Sequence, residues 1–225
     1  MLRFITLPLL TSLTYAATLP NVFPGENLYQ QALPILNKGD EKLEQISTLI
    51  KANSDHSEVQ KAAKELGDIL QPALKLLQAA SDLKHPAAQY RLGYFYQILA
   101  NNQNQACLLF KGSAQQGFTP AIFGMRGSCL DRTDLEKIQD YIIISEENIQ
   151  NYTQYYPQPT IYLQCLDKHQ SKSPQWGAQE DYLADAYLLR ARQYRTREKN
   201  KRIYYYEKAI AANGCLYAQK LLSHQ

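Results

Sequence analysis

The sequence predicts an all-α fold, an α/α solenoid of stacked antiparallel helix pairs with an irregular middle segment. Three observations carry this prediction. Apolar residues recur at i, i+3, i+4 and i+7 along most of the chain, runs of period-2 alternation are nearly absent, and the stretches 73–130 and 202–222 repeat one pattern. One repeat cannot bury its apolar face alone, so the repeats are expected to stack into a single domain over 26–225.

The N-terminal segment has the pattern of a secretory signal over residues 1–16. Arg3 precedes the largely apolar stretch 4–13, and small residues precede Ala17, where we expect cleavage. The alternative is an N-terminal core helix, which Pro8 and the lack of a polar face disfavour. Residues 17–25 are expected to form an extended lead-in. No later stretch approaches the ~18 apolar residues of a membrane-spanning helix, so export across the inner membrane to the periplasm is predicted, without stable membrane insertion.

The helices are predicted in order from the apolar spacing. Residues 28–36 form one helix that ends at 37–40, and residues 43–50 form the next. Further helical spacing follows over 62–80. The stretch Tyr141–Ile144 could be a strand, but its flanks are helix-like, and we predict a helix there.

The repeat has a recognisable turn. Residues 73–80 align with 106–113 at an offset of 33, and 205–214 repeat the pattern near the end of the chain. Gly117 and Gly214 each stand four residues before an alanine. We expect both glycines in a left-handed turn between two helices, where glycine has no steric penalty.

Two stretches carry a family resemblance. Residues 87–96 resemble the first helix of a Sel1-like repeat, which is related to the tetratricopeptide repeat, and residues 106–117 followed by Ala121 resemble its second helix and turn. Lys84 stands where the family has a turn glycine, and 131–175 fit no repeat, so the path of that segment stays open. The resemblance implies a protein-binding solenoid.

Four cysteines, at spacings of 22, 36 and 50, form an even set without a C-x-x-C pair or a histidine at zinc-ligand spacing. In an exported chain this set predicts disulfides rather than a metal site, and three pairings are possible. A turn at 117–118 would place Cys107 beside Cys129 on antiparallel helices, within the ~6 Å that a disulfide needs. That leaves Cys165 with Cys215. The arrangement resembles the cysteine-stapled secreted branch of the family.

Patterns with chemical function are weak. Ser81 and Lys84 match the S-x-x-K nucleophile signature of penicillin-recognising enzymes, but the companion S-D-N and K-T-G motifs are missing. His85 is expected to cap or pack at a turn, and Glu180 and Asp181 to lie in the first turn of a helix that begins near Ala178. We therefore expect no catalytic residues, no cofactor and no enzyme. The net charge of +3 gives no reason to expect nucleic acid.

The predicted partner-binding surface lies on the first helices of the pairs. In the helix 86–99, Leu99 is expected in the core, whereas tyrosines and arginines point to the concave side, although packing of these rings between helices is the alternative. The candidate partner-binding residues are Tyr90, Arg91, Tyr94, Phe123, Arg126, Tyr187, Arg190 and Tyr194. The basic run 190–202 is either a patch for a polyanion, acidic lipid or acidic protein, or a solvated helix end, which we prefer.

These observations predict an exported, non-enzymatic module that binds another protein. By resemblance to exported chains with few Sel1-like repeats, the specific expectation is a periplasmic immunity protein that occludes an antibacterial toxin. An envelope scaffold that organises membrane or cell-wall proteins is the alternative. A β-lactam-binding enzyme that uses Ser81 and Lys84 is a remote third hypothesis.

Overall fold

The fold is all-α, as predicted. A computed structural model of the protein describes residues 22–160, 163–166, 174–194 and 196–224. The helices are α1 (Glu26–Lys51), α2 (His56–Asp82), α3 (Pro86–Ile98), α4 (Gln103–Ala114), α5 (Thr119–Ser128), α6 (Arg132–Glu136), α7 (Ile138–Asn148), α8 (Gln179–Gln193), α9 (Lys199–Asn213) and α10 (Leu216–Leu222). Consecutive helices pack as antiparallel neighbours from α1 to α5 and again from α8 to α10, which gives a helical solenoid.

The first helix is longer than predicted. Residues 37–40 do not end it, because α1 runs without a break through Gly39. Gly39 is buried where α1 meets α2, and a Cβ at this position would overlap a methyl group of Leu70. The glycine therefore permits close approach of two helices and does not act as a helix stop. The predicted break there is wrong for this reason.

The turns between helices adopt the left-handed conformation. Gly117 has φ of 88° and Gly214 has φ of 75°, as predicted from their spacing to the next alanine. Lys84, which occupies the equivalent position between α2 and α3, has φ of 66°. The same backbone geometry thus closes three helix pairs, although one of the three positions is not glycine.

Both disulfides form in the predicted pairing. Cys107 on α4 bonds to Cys129 at the end of α5, with the two Cα atoms 4.9 Å apart. Cys165 bonds to Cys215 at the start of α10, with a Cα separation of 4.7 Å. The first bond fastens one helix pair, and the second ties the segment before α8 to the end of the chain. Two such bonds are compatible with an exported protein.

The middle segment folds back onto the solenoid. After α7, which confirms the helix predicted at Tyr141–Ile144, a 3-10 helix (Ile149–Tyr155) leads into strand β1 (Gln158–Thr160). Strand β1 pairs antiparallel with β2 (Gln175–Gly177), and Pro159 lies opposite Trp176. The side chains of β1 are buried against α3 and α8. This short hairpin is what positions the candidate site.

Part of the N-terminal prediction lies outside the described residues. This applies to the whole signal segment, 1–16, and to 17–21 of the lead-in. Residues 22–25 form a non-helical stretch and a turn before α1. None of the helices in the described ranges combines the length and the apolar character that crossing a membrane requires.

Candidate functional site

The two predicted partner-binding residues Tyr90 and Arg91, both on α3, are buried in the fold. Tyr90 is 3% exposed, and its hydroxyl donates to the Pro159 carbonyl in β1 and lies 3.2 Å from the Tyr182 hydroxyl. Arg91 is 7% exposed, forms a 2.7 Å ion pair with Asp40 and lies 5.4 Å from the ring centre of Trp176. The expectation that both side chains point away from the core is wrong, because β1 and β2 cover this face of α3.

The helix 86–99 also differs from prediction at its end. Leu99, expected in the core, is 42% exposed. Tyr187 on α8 is buried, with its hydroxyl 3.3 Å from a carboxylate oxygen of Glu146. The expectation that Tyr187 points outward is therefore wrong as well. Its ring packs under Lys208, whose ammonium lies 4.6 Å from the ring centre.

The other predicted residues of α3 and α5 line one cavity. We call it the α3–α5 cleft; it lies between α3, α5 and the segment after β1, and its volume is about 240 Å³. Its lining residues are Tyr90, Tyr94, Gln97, Phe110, Phe123, Gly124, Arg126, Gly127, Thr160 and Gln164. Four of the eight predicted partner-binding residues are in this set, so the fold brings them together.

Two glycines of α5 make room for the cleft wall. A Cβ at Gly124 would lie 2.6 Å from the ring of Phe110, and a Cβ at Gly127 would lie 2.5 Å from Nε2 of Gln97. Real Cβ atoms do not approach other atoms so closely, so side chains at these positions would push against the aromatic floor and the amide. The i, i+3 spacing of the two glycines was visible in the sequence and could have pointed to this wall.

The polar wall of the cleft holds a buried acceptor without a partner. Within the described part of the chain, the buried Oε1 atom of Gln97 has no hydrogen-bond partner. Burial raises the pKa of Tyr94 to about 12, which keeps its hydroxyl protonated at neutral pH. Arg126, at the last turn of α5, is exposed at the rim.

A buried carboxylate positions the opposite wall. Asp185 on α8 accepts the backbone N–H groups of Gln164, at 3.0 Å, and of Cys165, at 2.8 Å. Burial raises the pKa of Asp185 to about 6, although these two hydrogen bonds and the nearby Arg192 and Arg126 oppose the rise. The carboxylate therefore holds the segment that carries Gln164 and the Cys165 disulfide. Sequence reasoning missed this residue, because nothing local marks it.

A second surface lies on α8 and α9, where tyrosine rings alternate with cations. Arg190 lies 5.0 Å from the ring centre of Tyr205, and Tyr194 stacks on the same ring at 5.7 Å. Lys201 covers Tyr194, and Lys208 covers Tyr187 and Tyr204. A cation over an aromatic ring is attracted by about 0.5–1 kcal/mol at an exposed site. We call this surface the tyrosine–cation face; its residues are Arg190, Tyr194, Lys201, Tyr204, Tyr205 and Lys208.

One residue of the predicted basic run contacts the cleft. Gln164 lines the cleft, and its Oε1 accepts a hydrogen bond from the Arg192 guanidinium. Arg192 also lies 5.4 Å from the ring centre of Tyr217 on α10. The predicted basic run therefore joins the cleft through Arg192. Arg195 of that run lies outside the described residues.

A buried polar cluster elsewhere has a structural role. His85 is fully buried; its Nδ1 accepts the Ala88 backbone N–H at 3.2 Å, and its Nε2 lies 3.0 Å from a carboxylate oxygen of Glu26. The Tyr155 hydroxyl donates to the same carboxylate oxygen. Desolvation lowers the pKa of His85 despite the nearby Glu26. The predicted capping role of His85 is confirmed, whereas Glu26 and Tyr155 were missed.

Two chemical alternatives have little support from the geometry. Ser81 is buried in the last turn of α2, whereas Lys84 is exposed in the turn that follows. Sulfur and carboxylate atoms of Cys107, Cys129 and Asp134 lie within 4.8 Å of one another, but both sulfurs belong to a disulfide and offer no thiolate to a metal.

Asp181 accepts the Ala178 N–H in the first turn of α8, which confirms its predicted place.

The fold and the site define a disulfide-linked helical solenoid that carries a partly aromatic cleft and a face of tyrosines and cations. Neither protein-family models nor curated proteins nor solved structures match this chain. The resemblance to Sel1-like repeats therefore stays a prediction from residues 87–96 and 106–117.

Proposed function

We propose that this chain is an exported, non-enzymatic module that binds another protein through the tyrosine–cation face. The observation that carries the proposal is the tyrosine–cation face itself. Tyrosine and arginine dominate protein-interface hot spots, because each presents a large contact area together with a hydrogen-bond donor. Here the rings and cations already contact one another, so less conformational freedom is lost on binding.

The charge distribution indicates an acidic partner. The run 190–202 holds seven of the 24 basic residues of the chain and one carboxylate, Glu198. The remaining sequence therefore carries more acidic than basic residues. Such a separation of charge speeds association with a surface of opposite sign, and it disfavours partners that present a basic surface.

The more specific form of the proposal is an inhibitor that occludes the active site of an antibacterial toxin. Its support is the resemblance of the chain to exported proteins with few Sel1-like repeats, together with a binding surface suited to an acidic protein. Steric occlusion requires no catalytic residue in the inhibitor, which agrees with a site made of tyrosine, arginine and lysine side chains.

The test compares two variants of equal charge. Arg190→Ala/Lys201→Ala removes two cations from the tyrosine–cation face, and Lys61→Ala/Lys64→Ala removes two exposed cations from α2. Each oxidised chain is used to capture partners from the native organism, and the captured protein is purified. We expect one stoichiometric partner whose Kd rises at least tenfold with the first variant and stays unchanged with the second.

Activity then separates the inhibitor from the scaffold. A partner whose toxicity is blocked at one-to-one stoichiometry supports inhibition. Several envelope proteins captured equally by both variants would contradict the proposal and favour a scaffold. Equal loss of a single partner with both variants would show that net charge, and not this face, determines binding.

A further inference from the structure

Two of the three cations on the tyrosine–cation face already have a carboxylate of this chain beside them. The Lys201 ammonium lies 3.2 Å from a carboxylate oxygen of Glu198, and Lys208 forms an ion pair with Glu146. A partner that pairs with either lysine must compete with a carboxylate that is already in place. These two lysines therefore contribute little to the selection of a partner.

The third cation, Arg190, is placed differently. Its guanidinium carbon lies 5.0 Å from the ring centre of Tyr205, and the side chain is half-buried where α8 contacts α9. Within the described ranges, no carboxylate or other hydrogen-bond acceptor pairs with it. Among the three cations of this face, Arg190 is therefore the one whose charge and N–H donors are available to a partner.

The ring that contacts Arg190 is itself held by its neighbours. Tyr205 stacks on Tyr194 with 7° between the ring planes, and it contacts Tyr204 edge to face at a centroid distance of 5.1 Å. A guanidinium that lies over a ring keeps five N–H donors in its own plane. Because the ring contact restricts the side chain before binding, less rotamer freedom is lost when an oxyanion pairs with these donors.

The surroundings of Arg190 favour an anion with a single negative charge. A carboxylate matches a guanidinium with two parallel N–H···O bonds and cancels its charge. A phosphate dianion would keep surplus charge, and the carboxylates of Glu198 and Glu146, which belong to the ion pairs on the same face, would repel it. Tyr204, which is 53% exposed, offers an aromatic surface to the apolar part of an acidic side chain.

We infer that Arg190 is the specificity-determining residue of the tyrosine–cation face and that it binds one aspartate or glutamate side chain of the partner through paired N–H···O bonds. The ring of Tyr205 holds the guanidinium in place for this contact. The inference rests on the proposed function and deepens it, because it assigns the recognition of an acidic partner to one carboxylate at one position.

The first test needs no identified partner. The peptides acetyl-Leu-Glu-Leu-amide and acetyl-Leu-Gln-Leu-amide differ only in the carboxylate, and each is titrated into the oxidised ¹⁵N-labelled chain at constant ionic strength. The side-chain Nε–H signals of Arg190 and of the exposed Arg197 are followed. We expect the glutamate peptide to shift the Arg190 signal saturably and the Arg197 signal less, and the glutamine peptide to leave Arg190 unchanged.

Three results of this titration would overturn the inference. The first is no shift of Arg190 with the glutamate peptide. The second is an equal shift of Arg190 with both peptides, or equal shifts of Arg190 and Arg197 with the glutamate peptide. The third is tighter binding of the matching phosphoserine peptide than of the glutamate peptide, which would assign the site to a phosphate.

Variants then test the same residue with the purified, captured partner. Arg190→Gln removes the charge and the fork of donors, and Arg190→Lys keeps the charge without the fork. Lys201→Gln/Glu198→Gln removes an ion pair from the same face without changing the net charge. We expect the Kd to rise about tenfold or more with Arg190→Gln, to rise clearly with Arg190→Lys, and to stay unchanged with the pair variant. Circular dichroism shows whether each variant is folded.

The outcomes separate the inference from the proposed function. Binding by Arg190→Lys as tight as that of the original chain, or equal losses with Arg190→Gln and the pair variant, would overturn the inference. The proposed function would still stand if Arg190→Ala/Lys201→Ala weakens the partner, and both would fail if no variant of this face changes the Kd.

A double-mutant cycle locates the carboxylate on the partner. Each aspartate or glutamate of the partner is replaced by asparagine or glutamine, and the Kd is measured with the original chain and with Arg190→Gln. We expect one position whose loss disappears in Arg190→Gln, because the two substitutions remove the same contact. Additive losses at every position would contradict a carboxylate bound to Arg190.

Discussion

Replacing Asp185 with asparagine should change the pH dependence of stability. Asp185 is 4% exposed and accepts two backbone N–H groups, yet burial raises its pKa from 3.8 to about 6. The rise of about two pKa units corresponds to about 3 kcal/mol, because one unit is worth about 1.4 kcal/mol. This magnitude is the part of the free energy of unfolding that should vary with the protonation of one side chain.

The sign follows from proton binding. Since the pKa of Asp185 is higher in the folded than in the unfolded chain, the folded chain binds more protons between pH 4 and pH 6. The contribution of Asp185 to stability is therefore complete below about pH 4 and is lost as the pH rises through 6. Asparagine does not titrate, so Asp185→Asn removes this loss.

The assay is urea unfolding, followed by circular dichroism, at several values between pH 4 and pH 7. The free energy of unfolding of the original chain minus that of Asp185→Asn should fall by about 3 kcal/mol over this range. Asp68→Asn, which removes an exposed carboxylate of α2, controls for the loss of one charge. A difference that stays constant within about 0.5 kcal/mol, or that rises with pH, would refute the reasoning about desolvation.

Three further changes test the packing. Arg91→Met should lower the free energy of unfolding by about 3–5 kcal/mol, because it leaves a largely buried carboxylate without its cation. Urea unfolding monitored by the fluorescence of the single tryptophan measures this change. A loss of stability below about 1 kcal/mol would contradict a buried ion pair. Cys107→Ser/Cys129→Ser opens a 22-residue loop and should lower the free energy of unfolding, measured with denaturant, by about 3 kcal/mol. An unchanged free energy of unfolding would show that the bond does not restrict the conformations of the unfolded chain. Gly39→Ala should lower the melting temperature, because a Cβ at this position overlaps a methyl group of Leu70. Gly67→Ala should raise the free energy of unfolding by about 0.5–1 kcal/mol, because nothing lies within 4 Å of its Cβ position. Equal effects of the two alanines would mean that α1 and α2 do not approach closely at the first glycine.

Local spacing was sufficient to predict the turns at Gly117 and Gly214 and both disulfides. The turn at Gly117 determines which residues of α4 and α5 lie side by side, and the bond between Cys107 and Cys129 follows from that register. The second bond, between Cys165 and Cys215, then follows because one pair of cysteines remains. These predictions needed contacts over one helix pair only.

Contacts over longer separations were not predictable from periodicity. Tyr90 lies on a face that is polar enough to suggest a surface, but β1 covers it from 69 residues further along the chain. Apolar spacing shows which side of a helix is suited to burial, and it carries no information about which later segment returns to cover the other side. Gly39 was misread for a related reason, because a glycine at a helix end and a glycine at a close helix contact look alike in sequence.

The candidate site was predicted in part. Tyr94, Phe123 and Arg126 were chosen as surface residues of neighbouring repeats, and the fold does bring them to one cleft. Gln97 and Gln164 were missed, because an isolated glutamine has no spacing that distinguishes a cleft wall from a solvated surface. Their role depends on the segment after β1, whose path the repeats do not determine.

The two disulfides also determine how the chain can respond to a pulling force. Tension applied between the two ends passes through the sulfur bridges, so the 22-residue and 50-residue loops carry no load while the bridges are intact. At roughly 3.5 Å per residue, these loops withhold about 250 Å of extension. The α8–α9 pair, with the whole tyrosine–cation face, lies inside the longer loop. This part of the binding surface is therefore mechanically isolated from the termini, whereas α1 and α2 must bear the load directly.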